Sequence, residues 1–188
     1  MSSADLSSLA ISSPNRTRLE IHPEATVVAN CMLRGHIIIG PGTVIHPHAV
    51  IDSGEGCIEF GTNNIVEETA KIQNLNQSDT MRIGNDNLFE VGSVCLAKEV
   101  GDYNVFGIQS QVGADVQVTS GCQIGPRCAI TTREVLQPMT GIHFQNNQRR
   151  IMCEKSSSLA CQTDFLRKQL TKYADLIRNK EKTANDKE

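Results

Sequence analysis

Ile39-Gly40-Pro41-Gly42-Thr43-Val44-Ile45-His46-Pro47-His48-Ala49-Val50-Ile51-Asp52 places a large aliphatic residue, Ile39, Ile45 and Ile51, at every sixth position. A period of six matches neither the 3.6-residue turn of a helix nor the two-residue alternation of a plain strand. It is the hexapeptide signature of a parallel β-helix, a solenoid in which each six-residue unit lays down one flat face.

Working outward in both directions, the pattern starts at Ile21, Val27 and Leu33 and continues through Phe60, Val66 and Ile72, then Ile83, Phe89 and Cys95. It runs on to Ile130 and gives 18 hexads, or six coils of three faces. Three steps are irregular. Ile51 to Phe60 is three residues too long, Ile72 to Ile83 five too long, and Cys95 to Val100 one too short. All three fall between the third hexad of one coil and the first of the next, so the insertions 53–59 and 73–82 should leave the prism at one shared corner. Stacking the coils gives three columns. The first reads Ile21, Ile39, Phe60, Ile83, Val100, Val118, the second Val27, Ile45, Val66, Phe89, Phe106, Ile124, and the third Leu33, Ile51, Ile72, Cys95, Val112, Ile130. At the usual parallel spacing of ~4.8 Å the prism is on the order of 30 Å tall. Asn64, Asn87 and Asn104 stack four residues after their first-face starts and suggest an amide ladder at residues that tolerate left-handed turns.

After Ile130 the pattern decays, with Pro138 and Gly141 marking a turn. From Thr163 the period changes. Leu166, Leu170, Tyr173 and Ile177 form the stripe of an amphipathic helix, and Asp164 is its candidate N-cap. The organisation expected is a disordered Ser-rich tail at 1–17, the β-helix at 18–144, a linker at 145–162, a helix at 163–179 packed on the prism, and a charged disordered tail at 180–188.

The nearly balanced net charge of −3 gives no argument for a nucleic-acid or anionic-membrane partner, and no apolar run is long enough to span a bilayer. Seven cysteines without a CxxC pair fit a reduced protein of the cytoplasm, and Cys122 and Cys128 read as small buried side chains.

Hexapeptide prisms serve as acyltransferases, γ-class carbonic anhydrases and non-enzymatic scaffolds. The stretch Gly61-Thr62-Asn63-Asn64-Ile65-Val66-Glu67-Glu68, with Ile83-Gly84-Asn85-Asp86 through Val100-Gly101-Asp102, resembles the carbonic anhydrases. On that resemblance the three metal-ligand positions read Gln73, Val91 and Leu96, none an imidazole, so no metal and no cofactor are expected. An acyltransferase needs a general base, normally histidine. His22, His36, His46, His48 and His143 read as turn or surface residues, without a nucleophile–base pair. Glu67-Glu68 invites an acid/base reading, but adjacent strand residues point to opposite sides. No catalytic residue is assigned. A hexapeptide-fold enzyme, acyltransferase or carbonic-anhydrase-like, is the alternative.

Four segments carry a more specific resemblance: Ile39-Gly40-Pro41-Gly42-Thr43-Val44-Ile45-His46-Pro47, Asn87-Leu88-Phe89-Glu90-Val91-Gly92, Thr119-Ser120-Gly121-Cys122-Gln123-Ile124-Gly125 and Gln162-Thr163-Asp164-Phe165-Leu166. Through them the chain resembles the smaller hexapeptide-repeat subunits of the dynactin pointed-end complex. The resemblance implies a left-handed, non-catalytic β-helix in the cytoplasm and cytoskeleton that helps dynactin link dynein to cargo. Its implied partners are the other pointed-end subunits, especially the second hexapeptide-repeat subunit (dynactin subunit 5), and the pointed-end actin-related protein, with no nucleic acid and no membrane insertion. Independently, the end coils of an open prism carry unpaired backbone edges that invite assembly. Leu75 and Met81, apolar residues in the polar insertion 73–82, are the candidate partner contacts.

Overall fold

The computed structural model describes residues 17–76, 79–143 and 147–177. The two tails, apart from Thr17, lie outside the described residues.

The six-residue frame places every expected column. Parallel pairing runs Ile21–Ile39–Phe60–Ile83–Val100–Val118 on the first face. It runs Val27–Ile45–Val66–Phe89–Phe106–Ile124 on the second. On the third it runs Leu33–Ile51–Ile72–Cys95–Val112–Ile130. The columns form one apolar core along the prism axis. Phe89 and Phe106 stack at 4.5 Å in its middle, and burying each ring contributes about 2–3 kcal/mol. The pattern does not end at Ile130. Leu136 and Ile142 continue the first and second columns at the same spacing, both buried, and make a partial seventh coil. There the parallel stack stops, because Gln148–Ile151, expected to be linker, turns back antiparallel on Thr140–His143.

Both insertions sit on the third corner. In the second coil the chain does not loop out. Val50–Phe60 is a single strand that carries the third face round into the next first face, with a register shift opposite Gly35. Asn74, from the second insertion, donates to the carbonyls of Cys57 and Asp79 at 3.1 and 2.7 Å and so binds the two insertions together. Met81 belongs to the strand Thr80–Ile83, pairs with Ile58, and is 1% exposed. The alternation Met81-Arg82-Ile83 turns it into the core, so Met81 is withdrawn as a partner contact. Leu75 remains 55% exposed.

The asparagine column is a ladder of side chain to backbone. Asn64 Oδ1 accepts from the backbone N and Nδ2 of Asn87, both at 3.0 Å. Asn87 Oδ1 accepts from Asn104 N at 2.9 Å, and Asn104 Oδ1 from Cys122 N at 2.7 Å. The left-handed backbone lies one position earlier than expected, at Asn63, Asp86 and Tyr103, with φ between 55 and 60°. A parallel ladder links Thr62 to Asn85, Asn85 to Asp102 and Asp102 to Ser120. Gly84 lies where the coils approach too closely for a side chain, since a Cβ there would sit 2.7 Å from the Gly101 carbonyl oxygen.

Removing the Asn87 carboxamide strips the acceptor from a buried backbone N–H. Asn87→Ala is expected to destabilise the chain by about 2–3 kcal/mol and lower Tm by roughly 5–10 °C in a thermal melt. An unchanged Tm would show that the ladder is ornamental.

Candidate functional site

The chemistry-bearing side chains are spread over the prism and are mostly committed to its backbone. Gln73, Val91 and Leu96 lie on the outer side of the third face and its flanking corner, Val91 at 39% exposure. A carboxamide and two alkyl groups do not fit a catalytic metal, and among the described residues no three His, Cys, Asp or Glu side chains come together to hold one.

The histidines are brought to no common cavity. His22 Nδ1 accepts from Glu24 N at 3.1 Å, and His36 Nε2 faces Glu20 at 3.2 Å. His48 is exposed at a left-handed turn. His143 borders a cleft with Pro126, Gln148 and Arg150 that contains no nucleophile. His46 departs from the surface reading: it is 9% exposed, with Nδ1 2.9 Å from Glu68 Oε1 and Nε2 buried without a hydrogen-bond partner among the described residues. Burial alone would raise the Glu68 carboxyl, but the His46 hydrogen bond holds it below the usual range. Glu67 Oε2 accepts from Val91 N at 3.0 Å and Glu90 Oε2 from Ile108 N at 2.9 Å. Burial pushes Glu67 upward. Glu67 and Glu90 thus cap backbone N–H groups along the second corner, while Glu68 is held by His46.

The C-terminal arm has the most specific geometry and was the least legible in sequence. It climbs the first corner from coil to coil. Met152 N donates to Met139 O at 2.8 Å, and Lys155 Nζ lies 3.7 Å over the Tyr103 ring. Asp86 Oδ1 then accepts from Ser158 Oγ at 2.7 Å and from Leu159 N at 2.8 Å. Asp86 thereby places a buried carboxylate at the start of helix α1 (Ala160–Tyr173), where the helix dipole favours negative charge. This corrects the expected helix at both ends. It begins three residues before Thr163 because the prism supplies the cap, and Asp164 is inside it rather than capping it. It stops at Tyr173 because Ala174 turns extended. Residues 175–177 then close the free edge of the second face: Ala29 N donates to Asp175 O at 2.7 Å and Ile177 N to Val27 O at 2.8 Å. α1 lies against the strands Thr26–Val27 and Val44–Ile45.

The outward rows explain why the arm takes this face. On the first face they read Glu20, Ile38, Glu59, Arg82, Glu99, Gln117, with contacts such as Arg82–Glu59 at 3.7 Å and Gln117–Glu99 at 2.9 Å. On the second they read Thr26, Val44, Ile65, Leu88, Val105, Gln123, and Val44 and Ile65 are fully buried although they point away from the core. On the third they read Met32, Val50, Lys71, Val94, Gln111, Ala129, and the outward positions after the inward residue add Arg34, Asp52 and Gln73, so this face is mixed. The row chemistry was readable beforehand, since only the second face is apolar throughout its middle coils.

Asp86→Ala should release α1 while the prism stays folded. Hydrogen exchange should show faster exchange by at least about tenfold, equivalent to 1.4 kcal/mol, across residues 159–173, with coils three to six unchanged. Equal loss everywhere would make Asp86 part of the core rather than a latch. Cysteine reactivity gives a second check. Burial pushes the Cys95 thiol up to about 12 and Cys31 to about 11, whereas Cys153 and Cys161 are exposed. The reactive species is the thiolate, so labelling at pH 8 without denaturant should modify Cys153 and Cys161 first and spare Cys95. Early labelling of Cys95 would contradict the packed third column.

No family model matches the chain. Curated proteins do. Dynactin subunit 6 of Nematostella vectensis is 37% identical over 166 residues, 83% of this chain and 90% of that protein. Dynactin subunit 6 of Xenopus tropicalis is 38% identical over 185 residues, 92% of each. Dynactin subunit 6 of Danio rerio is 39% identical over 169 residues, 84% of this chain and 87% of that protein. Among solved structures, a hexapeptide transferase family protein from Anaplasma phagocytophilum matches with a TM-score of 0.57 at 11% identity, covering 82% of this chain and 92% of its own. At that identity the likeness establishes the left-handed hexapeptide β-helix and nothing of the reaction.

Proposed function

The chain belongs to the dynactin subunit 6 family, and from that premise we propose that it is a non-catalytic structural subunit of the dynactin pointed-end complex. In this reading it works in the cytoplasm on the cytoskeleton, beside the second hexapeptide-repeat subunit (dynactin subunit 5) and the pointed-end actin-related protein. It supports cargo binding by dynein–dynactin and microtubule-based transport without handling a substrate itself. The observation that carries the reading is the outer surface of the third face. The positions at which a carbonic-anhydrase-like prism would hold its metal are occupied by Gln73, Val91 and Leu96, and the carboxylates of Glu67 and Glu90 on the flanking corner are spent on backbone N–H groups. A surface without an imidazole at those positions suits packing rather than turnover.

Affinity purification of the tagged chain from its own cells tests this. The expected result is recovery of the remaining dynactin subunits at near-equal stoichiometry. A homotrimer free of other subunits, or acetyl-CoA transfer or CO2 hydration that disappears in His46→Ala, would overturn it.

A further inference from the structure

The C-terminal end of the prism is finished differently on its three faces. On the second face the chain adds its own antiparallel strand, Gln148–Ile151, to Thr140–His143. On the third, Asn147 Nδ2 donates to the Ala129 carbonyl at 2.6 Å. The first face ends in Glu134–Val135, with no further strand beside it among the described residues. Leu136 N donates back to Gln117 O at 3.0 Å. Successive backbone groups of a strand face opposite neighbours, so the N–H and C=O of Val135 point to the open end. Neither has a partner among the described residues. The Val135 side chain is 58% exposed. Beside this edge lies a cleft of about 350 Å3, lined by the buried Leu136, by Thr140 and Arg150, and by Ile151 at 65% exposure.

We propose that the Glu134–Val135 edge is a strand-addition site for an acidic, extended segment of another subunit. The proposal rests on reading the chain as an assembly subunit. An unpaired edge recognises a strand through main-chain hydrogen bonds, with side-chain pockets adding specificity. The chain supplies its own precedent at both ends of the prism: Gln148–Ile151 is added at this one, and Ile177 N donates to Val27 O at the other. Charge specifies the occupant. Coils in the span 18–115 carry more than twice as many carboxylates as cations, whereas the charges in 116–155 are Arg127, Arg133, Arg149, Arg150 and Lys155 against Glu134 and Glu154. Three of these cations are already engaged. Arg149 Nη2 donates to Glu134 Oε1 at 2.7 Å, Arg127 Nε donates to Gln109 at 3.0 Å, and Lys155 lies over Tyr103. Arg133 and Arg150 are exposed and have no carboxylate partner among the described residues. Alternate side chains of an added strand fall on opposite sides. One side lies over the cleft, where Leu136 and Ile151 favour an apolar residue, and carboxylates on the same segment answer Arg133 and Arg150.

The test titrates the purified full chain, followed by amide NMR, with a heptapeptide of alternating glutamate and valine. Two control peptides carry lysine in place of glutamate, or N-methyl groups that block one backbone edge. The acidic peptide should shift amides at 133–137 and 149–151 and bind at least about tenfold more tightly than either control, with added salt weakening it. Arg133→Glu with Arg150→Glu should weaken binding at least about fivefold, while Arg34→Glu on the third face leaves it unchanged. Val135→Pro should weaken it as much and still melt within ~3 °C of the parent, because proline is tolerated where a strand's N–H is unpaired. If that variant melts early, the N-methylated peptide takes its place. No saturable binding, or equal binding of the N-methylated peptide, overturns strand addition, and equal binding of the lysine peptide overturns the acidic occupant. In the assembled complex, a photo-crosslinking residue in place of Val135 should map to an acidic, extended segment of another subunit. A cross-link to a helix, to nucleic acid or to a second copy of this chain overturns the proposal. Failure of the unaltered chain to co-purify with the complex, with peptide binding intact, overturns the assembly reading alone.

Discussion

Every structural feature of this chain depends on one constraint: the backbone groups of each rung find their partners on the rungs above and below. A hexad that gained or lost a residue would turn its inward side chain to solvent and offset the columns after it. The frame therefore holds strictly within faces and at two corners, and chain length varies only at the third. There Gly35 and Gly54 take positive φ, and Asn74 ties the insertions back onto the stack. The side-chain ladders do for the first corner what strand pairing does for the faces: they give each turn's backbone N–H an acceptor from a neighbouring coil.

The same constraint shapes function. Side chains that elsewhere do chemistry here complete the scaffold. Asp102 accepts from Asn85, Glu67 and Glu90 cap corner N–H groups, and Asp86 starts the helix of the C-terminal arm. With the inner rows committed to packing, variation is confined to three outer rows, and each has its own chemistry. The first is charged and cross-bonded, the second is apolar and carries α1 over its first two strands, and the third is mixed, with Lys71, Asp52 and Gln73 among its aliphatic side chains. A subunit that presents distinct faces in a rigid prism is suited to holding neighbours at fixed positions.

The repeat was legible because period six is written in large aliphatic residues, which pairing then confirms column by column. The partial seventh coil lay inside the expected 18–144 β-helix but was not counted, because Pro138 and Gly141 mark a turn there, although Leu136 and Ile142 keep the spacing. Met81 was misplaced because composition drew the eye to the polar insertion, while the alternation through Ile83 already turned it inward. The arm could not be read, since Ser158 and Asp86 are 72 residues apart and no local pattern announces their contact. The third-face surface was half legible. The loss of ligands at Gln73, Val91 and Leu96 was plain, but their gathering on one open face required the coils to be stacked.

The frame itself can be tested directly with two single-residue insertions followed by circular dichroism through a thermal melt. One glycine goes after Glu55, on the third corner, and the other after Ile108, on the second. If the strict frame with one permissive corner is right, the first variant melts within ~3 °C of the parent, and the second loses more than ~10 °C or its cooperative transition, because the columns beyond it slip out of register. Equal loss from the two insertions would contradict the account.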